Sequence, residues 1–435
     1  MDAFFYKDCF MVAHPNKVAG PASEGNDHVS GCTVSDAKPG PLAGIKVLDL
    51  TTVVLGPLAT QILGDLGAEV IKIEAPEGDM MRSIGPMRHP DMAAYFLNIN
   101  RNKKSVVLDL KRLEAQQALL RLAATADVLV HNMRPGAARR NGVGYADVAQ
   151  ANPRIVYASA SGWRADHPHG DRAAFDDVIQ GESGFAALNK DADGAPRYAP
   201  MVICDKICGY VLAGMVGMAL YAREQTGRGQ EIHVPMVDTM AAFNMVDHLW
   251  HGVFGEPEKG LGYPRMLTPH RRPYATTDGH ICLLATTDRQ WRNLFGACDA
   301  PELADDPRFD TIEHRTRNIN ELYTWLAGVM KTRSTAEWKQ RLDAADVPNG
   351  KVNDMMGVVR DAYLNEAGFF QPLDHPTEGR LTTMPFPVSF SDTKLDQNLP
   401  AARLGEHTEA MLAELGYGAD EIAAITSRRG SYPPR

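Results

Sequence analysis

The chain has no transmembrane-length apolar run, no dominant charge of one sign and no cysteine framework, and each of these gaps removes a class of function. Without an apolar stretch long enough to span a bilayer, and without a secretory h-region, neither a membrane protein nor an exported one is expected. The 45 basic and 54 acidic residues are scattered and sum to −9, which argues against a nucleic-acid surface and a polybasic membrane patch. Cys9, Cys32, Cys204, Cys208, Cys282 and Cys298 show no disulfide spacing, so a reducing, cytoplasmic setting is expected. Cys204 with Cys208, and His248 with His251, each lack the second pair that zinc would need, so no metal site is expected. The loop Thr51-Thr52-Val53-Val54-Leu55-Gly56-Pro57 lacks the Gly-x-Gly-x-x-Gly spacing of a dinucleotide site, although Glu74 stands where a ribose-binding acid would. The partner left by these exclusions is a small molecule.

What is present is alternation of strand and helix. At 435 residues the chain exceeds what one core usually serves, so two domains are expected. Residues 1–38 lack periodicity and read as an N-terminal extension. Lys46–Leu50, Glu69–Glu74, Ser105–Leu108, Val128–His131 and Ile155–Ser159 read as strands, and Leu58–Leu66, Leu113–Ala124 and Tyr145–Ala151 as helices between them. The pattern predicts an α/β fold: a doubly wound, Rossmann-like large domain over 39–250 with a parallel sheet. Its ligand should lie beyond the carboxyl ends of the strands, in the loops after Leu50, Glu74 and His131. A Gly/Pro-rich stretch from Gly252 to Pro264 opens a smaller α+β domain over 251–365, with a hairpin at Tyr274–Leu283 and a helix at Asp288–Ala297. Residues 366–435 are expected to return to the large domain.

Asp205 is the candidate catalytic residue. The apolar run Met201-Val202-Ile203-Cys204 delivers its carboxylate to the start of a long small-residue helix reaching about Arg223. At that place the helix's positive end would keep the acid ionised while the surroundings shield it from water, which suits a nucleophile that attacks an activated acyl group. Asp is also a favoured helix N-cap, so from the residues alone capping stands ahead of catalysis.

From Pro41 onward the chain resembles the family III CoA-transferases, the group that includes formyl-CoA transferase, carnitine CoA-transferase and alpha-methylacyl-CoA racemase. The matching stretches fall in the family's order: Pro41–Leu50, Gly56-Pro57, Leu66–Glu74, Asn100–Ser105, Asn132–Gly136, Thr226–Gln230, Ala345–Pro348 and Leu404–Thr408. The resemblance implies coenzyme A as substrate and product with no permanently bound cofactor, and an interlocked homodimer. It aligns Asp205 with the transferases' nucleophile and assigns CoA contacts to Val54, Leu55, Leu108, Lys111, Asn132, Met133, Arg134 and Arg140. Lys103, Lys104, Lys111, Arg134 and Arg140 supply the charge type that a diphosphate and a 3′-phosphate need. Ala75 departs from the arginine of formyl-CoA transferase, so one phosphate or adenine contact would be made differently.

Phe175 and Asp176 correspond to substrate-side positions. The racemase branch uses a His-Asp pair and a second Asp to exchange an α-proton; here Ala174-Phe175-Asp176 replaces the His, so half of that machinery is missing. Transfer of CoA from an acyl-CoA donor to a carboxylic acid is therefore the expected activity, with a racemase or isomerase using Asp176 and Asp205 as the alternative. The glycine-run loop of the formyl-CoA branch is absent; the chain has Arg265, His270, Arg271 and Arg272 there, a cationic group suited to a second carboxylate. A C4 or C5 dicarboxylate acid, with succinyl-CoA as donor, is the substrate expectation. The same basic turn could instead pair with Asp or Glu, or touch a CoA phosphate.

Overall fold

Six strands of four to six residues each, joined by helices, assemble into one parallel sheet in the computed structural model, which describes residues 39–191, 193–395 and 399–426. The strands are β1 (Lys46–Leu50), β2 (Glu69–Glu74), β3 (Lys103–Val107), β4 (Val128–His131), β5 (Val156–Ser161) and β6 (Gln230–Pro235). Their order is β3-β2-β1-β4-β5-β6, with Val47 beside both Val70 and Val128 and Leu50 beside His131. Strands buried on both faces read as largely apolar runs, as Val128 to Val130 does, while β1 is interrupted by the buried Asp49. The N-terminal extension, including Cys9 and Cys32, lies outside the described residues.

Helices cover both faces. On one, helix Leu55–Asp65 and the long helix Ile203–Thr226 place Ala59, Ile62, Cys208, Leu212 and Val216 against Val128, Val130 and Ala158. On the other, helix Leu113–Ala124 packs Leu119 and Leu122 with Tyr157 and with Met411 and Leu412 of the C-terminal helix Thr408–Glu414. That helix is tied to the edge strand: His407 N–H donates to the Ser105 carbonyl at 2.9 Å, and the Val107 N–H donates to the Thr408 hydroxyl at 2.9 Å. Cys204 and Cys208 are core residues of the first face.

Two boundaries differ from expectation for identifiable reasons. The first helix starts at Leu55 rather than Leu58, because Gly56 and Pro57 lie inside its first turn, where the proline's missing N–H costs no hydrogen bond. β3 starts at Lys103, because buried Lys103 and Ser105 find polar partners inside the protein and need no solvent. The expectation of no membrane-length apolar run is corrected by helix Ile203–Thr226, which at 24 residues and a mean hydropathy of 1.5 is long and apolar enough to cross a bilayer. Half of its most apolar stretch is nevertheless buried in the protein, as in the core helix of a globular fold.

Residues 274–347 build a separate core. β7 (Tyr274–Ala275), β8 (His280–Leu283) and β9 (Asn349–Lys351) form an antiparallel sheet beside helices Asp288–Ala297, Ile319–Met330 and Thr335–Ala344. Trp291, Phe295, Leu322, Leu326 and Trp338 fill the space between them. β10 (Gln371–His375) and β11 (Gly379–Thr383) make a hairpin beyond it.

Candidate active site

In the order β3-β2-β1-β4-β5-β6 all strands run parallel, but the direction in which successive strands are added reverses between β1 and β4, and the loops that leave those two strands part there to open a crevice. A cleft of about 570 Å³ occupies it, lined by Thr52–Leu55 after β1, Asn132–Arg134 after β4, Ser161 and Gly162 at the end of β5, Met236 after β6, and Arg172–Phe175. Asp205 faces the same cleft.

The walls are held from below by buried charge. The Asp49 carboxylate accepts from the Thr51 N–H at 2.9 Å, the Thr60 hydroxyl at 2.7 Å and Lys103 Nζ at 3.0 Å. Burial alone would raise its pKa, but Lys103 and Lys72, with the Thr51 and Thr60 hydroxyls, hold it down at about 2. Lys72 Nζ donates to the Thr51 carbonyl at 2.8 Å and to Asp79 at 3.1 Å, fixing the loop after β1 from its underside. Across the top, Thr52 N–H donates to Asn132 Oδ1 at 2.9 Å and Asn132 Nδ2 returns a bond to the Thr52 carbonyl at 2.7 Å. Between these anchors Val53 is held at φ 71°, a left-handed conformation costly for a β-branched residue and found where surrounding contacts impose it.

Asp205 is the third residue of helix Ile203–Thr226, so it is not the N-cap; Val202 takes that position. The helix start is pressed onto helix Leu55–Asp65 because Gly209, one turn on, has no side chain: a Cβ there would stand 2.7 Å from the Leu55 carbonyl oxygen. Asp205 is 9% exposed and its N–H donates to Asp176 Oδ2 at 2.9 Å. Asp176, 4% exposed, accepts from Gln180 Nε2 at 2.5 Å through its other oxygen. Burial, and secondarily the Asp176 charge, push the Asp205 carboxyl up to about 7. This corrects the expectation of a fully ionised acid: removal from water outweighs the helix terminus. The Asp205 N–H, being spent on Asp176, is also not an oxyanion donor.

The other sequence-derived positions divide. Val54, Leu55, Asn132, Met133, Arg134 and Phe175 line the cleft with Asp205, although the Asn132 amide is committed to Thr52. Leu108 does not; it is 1% exposed in the core under helix Leu113–Ala124, where the strand's apolar alternation puts it. Lys111 is exposed outside the cleft wall. Arg140 stands behind the wall near Gly136 and Asp171. Lys103 is locked to Asp49, the Pro57 carbonyl and Asn100, and Lys104 pairs with Glu69, so neither is free for phosphate. The basic stretch is not in the cleft either: Arg271 and Arg272 line a different cavity, Arg265 is buried at 7% exposure, and His270 Nδ1 lies 3.5 Å from the Thr324 hydroxyl. Proximity in sequence made these four one cluster, but the loop turns them to different sides.

Three residues that no motif signalled join the site. Arg172 lines the cleft, lies over the Trp163 ring at 4.3 Å and pairs with Glu182 at 3.3 Å. Ser161 Oγ, at the end of β5, is 2.8 Å from His233 Nε2 on the neighbouring strand. The Tyr95 hydroxyl is raised by burial and by the nearby Asp205 and Asp176 charges, which places it in their field. The sequence holds these three residues too far from Asp205 for any spacing rule.

Comparison with known proteins decides the family. Residues 42–408 match the profile of CoA-transferase family III. The chain belongs to this family. Among its relatives, mouse succinyl-CoA:glutarate CoA-transferase is 32% identical over 377 residues, covering 86% of each chain. The formyl-CoA:oxalate CoA-transferase of Streptomyces avermitilis is 33% identical over 408 residues, 89% of this chain and 98% of its own. A crystal structure of Rv3272 from Mycobacterium tuberculosis superposes with a TM-score of 0.75 at 31% identity, over 86% of this chain and 99% of that one. The chain is thus a family III CoA-transferase, an enzyme of CoA thioester chemistry on an α/β fold with a six-stranded parallel sheet.

Proposed function

We propose that this transferase moves CoA from a succinyl-CoA-type donor to a C4 or C5 dicarboxylic acid, with Asp205 carrying the acyl and then the CoA group. The observation that carries the reading is one buried carboxylate, Asp205, facing the crevice at the strand-order switch where such a fold binds nucleotide-like ligands, its pKa pushed up by burial and by the Asp176 charge. A carboxylate with a pKa near ambient pH is more basic, and a better nucleophile, than an ordinary Asp, yet half of it is still ionised at neutrality.

In the proposed sequence an Asp205 oxygen attacks the donor thioester carbonyl, the C–S bond breaks, and a mixed anhydride forms with free CoA thiolate. The thiolate attacks the aspartyl carbonyl; its C–O bond to the donor acyl group breaks, releasing the donor acid and leaving an aspartyl-CoA thioester. The acceptor carboxylate attacks that thioester, regenerating an anhydride and thiolate. Attack of the thiolate on the acceptor's carbonyl yields the new acyl-CoA and frees Asp205. Both intermediates are open to hydrolysis, so enclosure of Asp205 is part of the chemistry.

Val54, Leu55, Asn132, Met133 and Arg134 are the proposed contacts of the CoA arm, with Arg134 and Arg172 as the cleft's cations for its phosphates or for the acceptor's second carboxylate. The names of succinyl-CoA:glutarate relatives from mouse, human and Agrobacterium fabrum support the dicarboxylate reading. Against the isomerase alternative, both Asp176 oxygens are already engaged, and Phe175 carries no proton. A homodimer is proposed as well: Met218, Tyr221, Phe243, Val246 and Phe254 expose apolar surface along helices Ile203–Thr226 and Met236–His248 and the turn after them, more than an isolated chain usually leaves in water.

The test is to mix the protein with succinyl-CoA alone and search by mass spectrometry for CoA on the peptide that contains Asp205, then to offer a panel of acids. CoA on that peptide, absent in Asp205→Ala, together with turnover of glutarate, succinate or itaconate, is expected. Adducts elsewhere, or turnover confined to monocarboxylates, would overturn the respective half of the proposal.

A further inference from the structure

Gln180 lies behind the Asp205 cleft, fully buried in helix Asp176–Glu182, and both ends of its amide are engaged. Its Oε1 accepts from the Ala199 N–H at 2.9 Å, and its Nε2 donates to Asp176 Oδ1 at 2.5 Å. A backbone N–H can only donate, so the first bond fixes which end of the amide is oxygen and turns the other end, as a donor, toward Asp176. The Asp205 N–H donates to the second Asp176 oxygen at 2.9 Å. Both oxygens of this buried carboxyl thus face donors, surroundings that favour a carboxylate over a carboxylic acid.

Asp205 has the opposite surroundings. No hydrogen bond from a described residue lowers its carboxyl, which burial and then the Asp176 charge raise to about 7. The other titratable groups around it bring no positive charge. Cys204 and Cys208 on its own helix are pushed up by burial and by both acids, Cys208 to about 12, Asp177 adds a negative charge beside Cys204, and Tyr95 on helix Ala94–Ile99 is raised as well. Two acids buried together carry one proton more readily than two charges, and the member with fewer donors takes it. We propose that Gln180 is a positioning residue of the transfer reaction: by donating to Asp176 it keeps that carboxylate ionised, and so assigns the proton of the buried pair to Asp205. The same amide ties the segment 199–202, which leads into the Asp205 helix, to helix Asp176–Glu182. The consequence for turnover rests on Asp205 being the acyl carrier, whereas the placing of the proton is a property of the resting enzyme.

NMR of the full chain carrying ¹³Cγ-aspartate, with the Asp205 signal assigned by its loss in Asp205→Asn, follows that proton without turnover; the rate of aspartyl-CoA formation is the second readout. Gln180→Met keeps the bulk and removes the amide. Its Asp205 midpoint should fall, by no more than in Asp176→Asn, and a fall of about half a pH unit would shrink the rise in acylation between pH 6 and 8 from about tenfold to about fourfold. Gln180→Glu, which while protonated can still donate to Asp176 and accept from Ala199, should keep the midpoint at or above that of the parent. Loosened packing would also lower the midpoint, by wetting the pocket, so the deciding measurement is Gln180→Met in the Asp176→Asn background, where it should move the midpoint no further. The proposal falls if Gln180→Met leaves the parent midpoint unchanged or raises it, if it lowers it equally with and without the Asp176 charge, or if Gln180→Glu lies below the parent. That last comparison decides alone if the methionine variant does not fold. Midpoints that move as expected in a protein that forms no aspartyl-CoA would overturn Asp205 as acyl carrier and leave the placing of the proton standing.

Discussion

Replacing Asp205 by Asn should abolish turnover and, at alkaline pH, make the protein more stable. Below the ordinary aspartate pKa of 3.8 the acid is protonated in folded and unfolded chains alike. Between 3.8 and about 7 the unfolded chain gives up its proton while the folded one retains it, so stability falls as pH rises and levels off above about 7. At ~1.4 kcal/mol per pH unit, the whole interval corresponds to ~4 kcal/mol. Asn keeps the shape without the charge and escapes that penalty, but gives up a carboxylate in the first helical turn, worth about 0.5–1 kcal/mol. The variant should therefore exceed the parent by ~3 kcal/mol at pH 8 and by much less at pH 5. Urea denaturation at the two pH values, at equal protein concentration, measures this. A variant less stable than the parent at pH 8, or a difference that does not grow with pH, would refute the claim that burial holds this carboxyl near 7.

Further outcomes follow from the same geometry. The rate of aspartyl-CoA formation should rise with pH through a midpoint near 7, about tenfold between pH 6 and 8 if it tracks the ionised fraction. Asp176→Asn should move that midpoint to lower pH by removing the neighbouring charge; a midpoint unchanged or higher in stopped-flow acylation would count against the assignment. Gly209→Ala pushes a methyl against the Leu55 carbonyl and should cost about 1–3 kcal/mol in denaturation while lowering acylation, because the start of the Asp205 helix must back away. Lys103→Met should cost about 3–5 kcal/mol by stranding the Asp49 charge in the core, and a weakened CoA affinity with unchanged stability would show instead that Lys103 reaches phosphate.

How much of this was legible beforehand depended on whether the deciding force was local. Strand and helix identity was, since Val47-Leu48 and Val128–Val130 are apolar on both faces and the helices between them repeat at helical spacing. The ordered family motifs reached the same family and the same parallel-sheet fold. Misplacements arose where a side chain's partner lies far along the chain. Lys103 looks like a surface cation until Asp49 and Asn100 are found around it, and Leu108 like a CoA contact until the core closes over it. The basic stretch from Arg265 to Arg272 divides because a turn points its members in different directions.

The sequence alone therefore determined the α/β alternation, the parallel sheet and the absence of a dinucleotide loop, all of which follow from hydrophobic periodicity and short motifs. Tertiary structure alone decided the burial of Asp205 against Asp176, which pushes its pKa up, the company of Arg172 and Ser161 in the cleft, and the retirement of Lys103 into the core. The physical reason is that dielectric surroundings and hydrogen-bond satisfaction belong to neighbours in space, and a titrating or orphaned group acquires them only when distant segments meet.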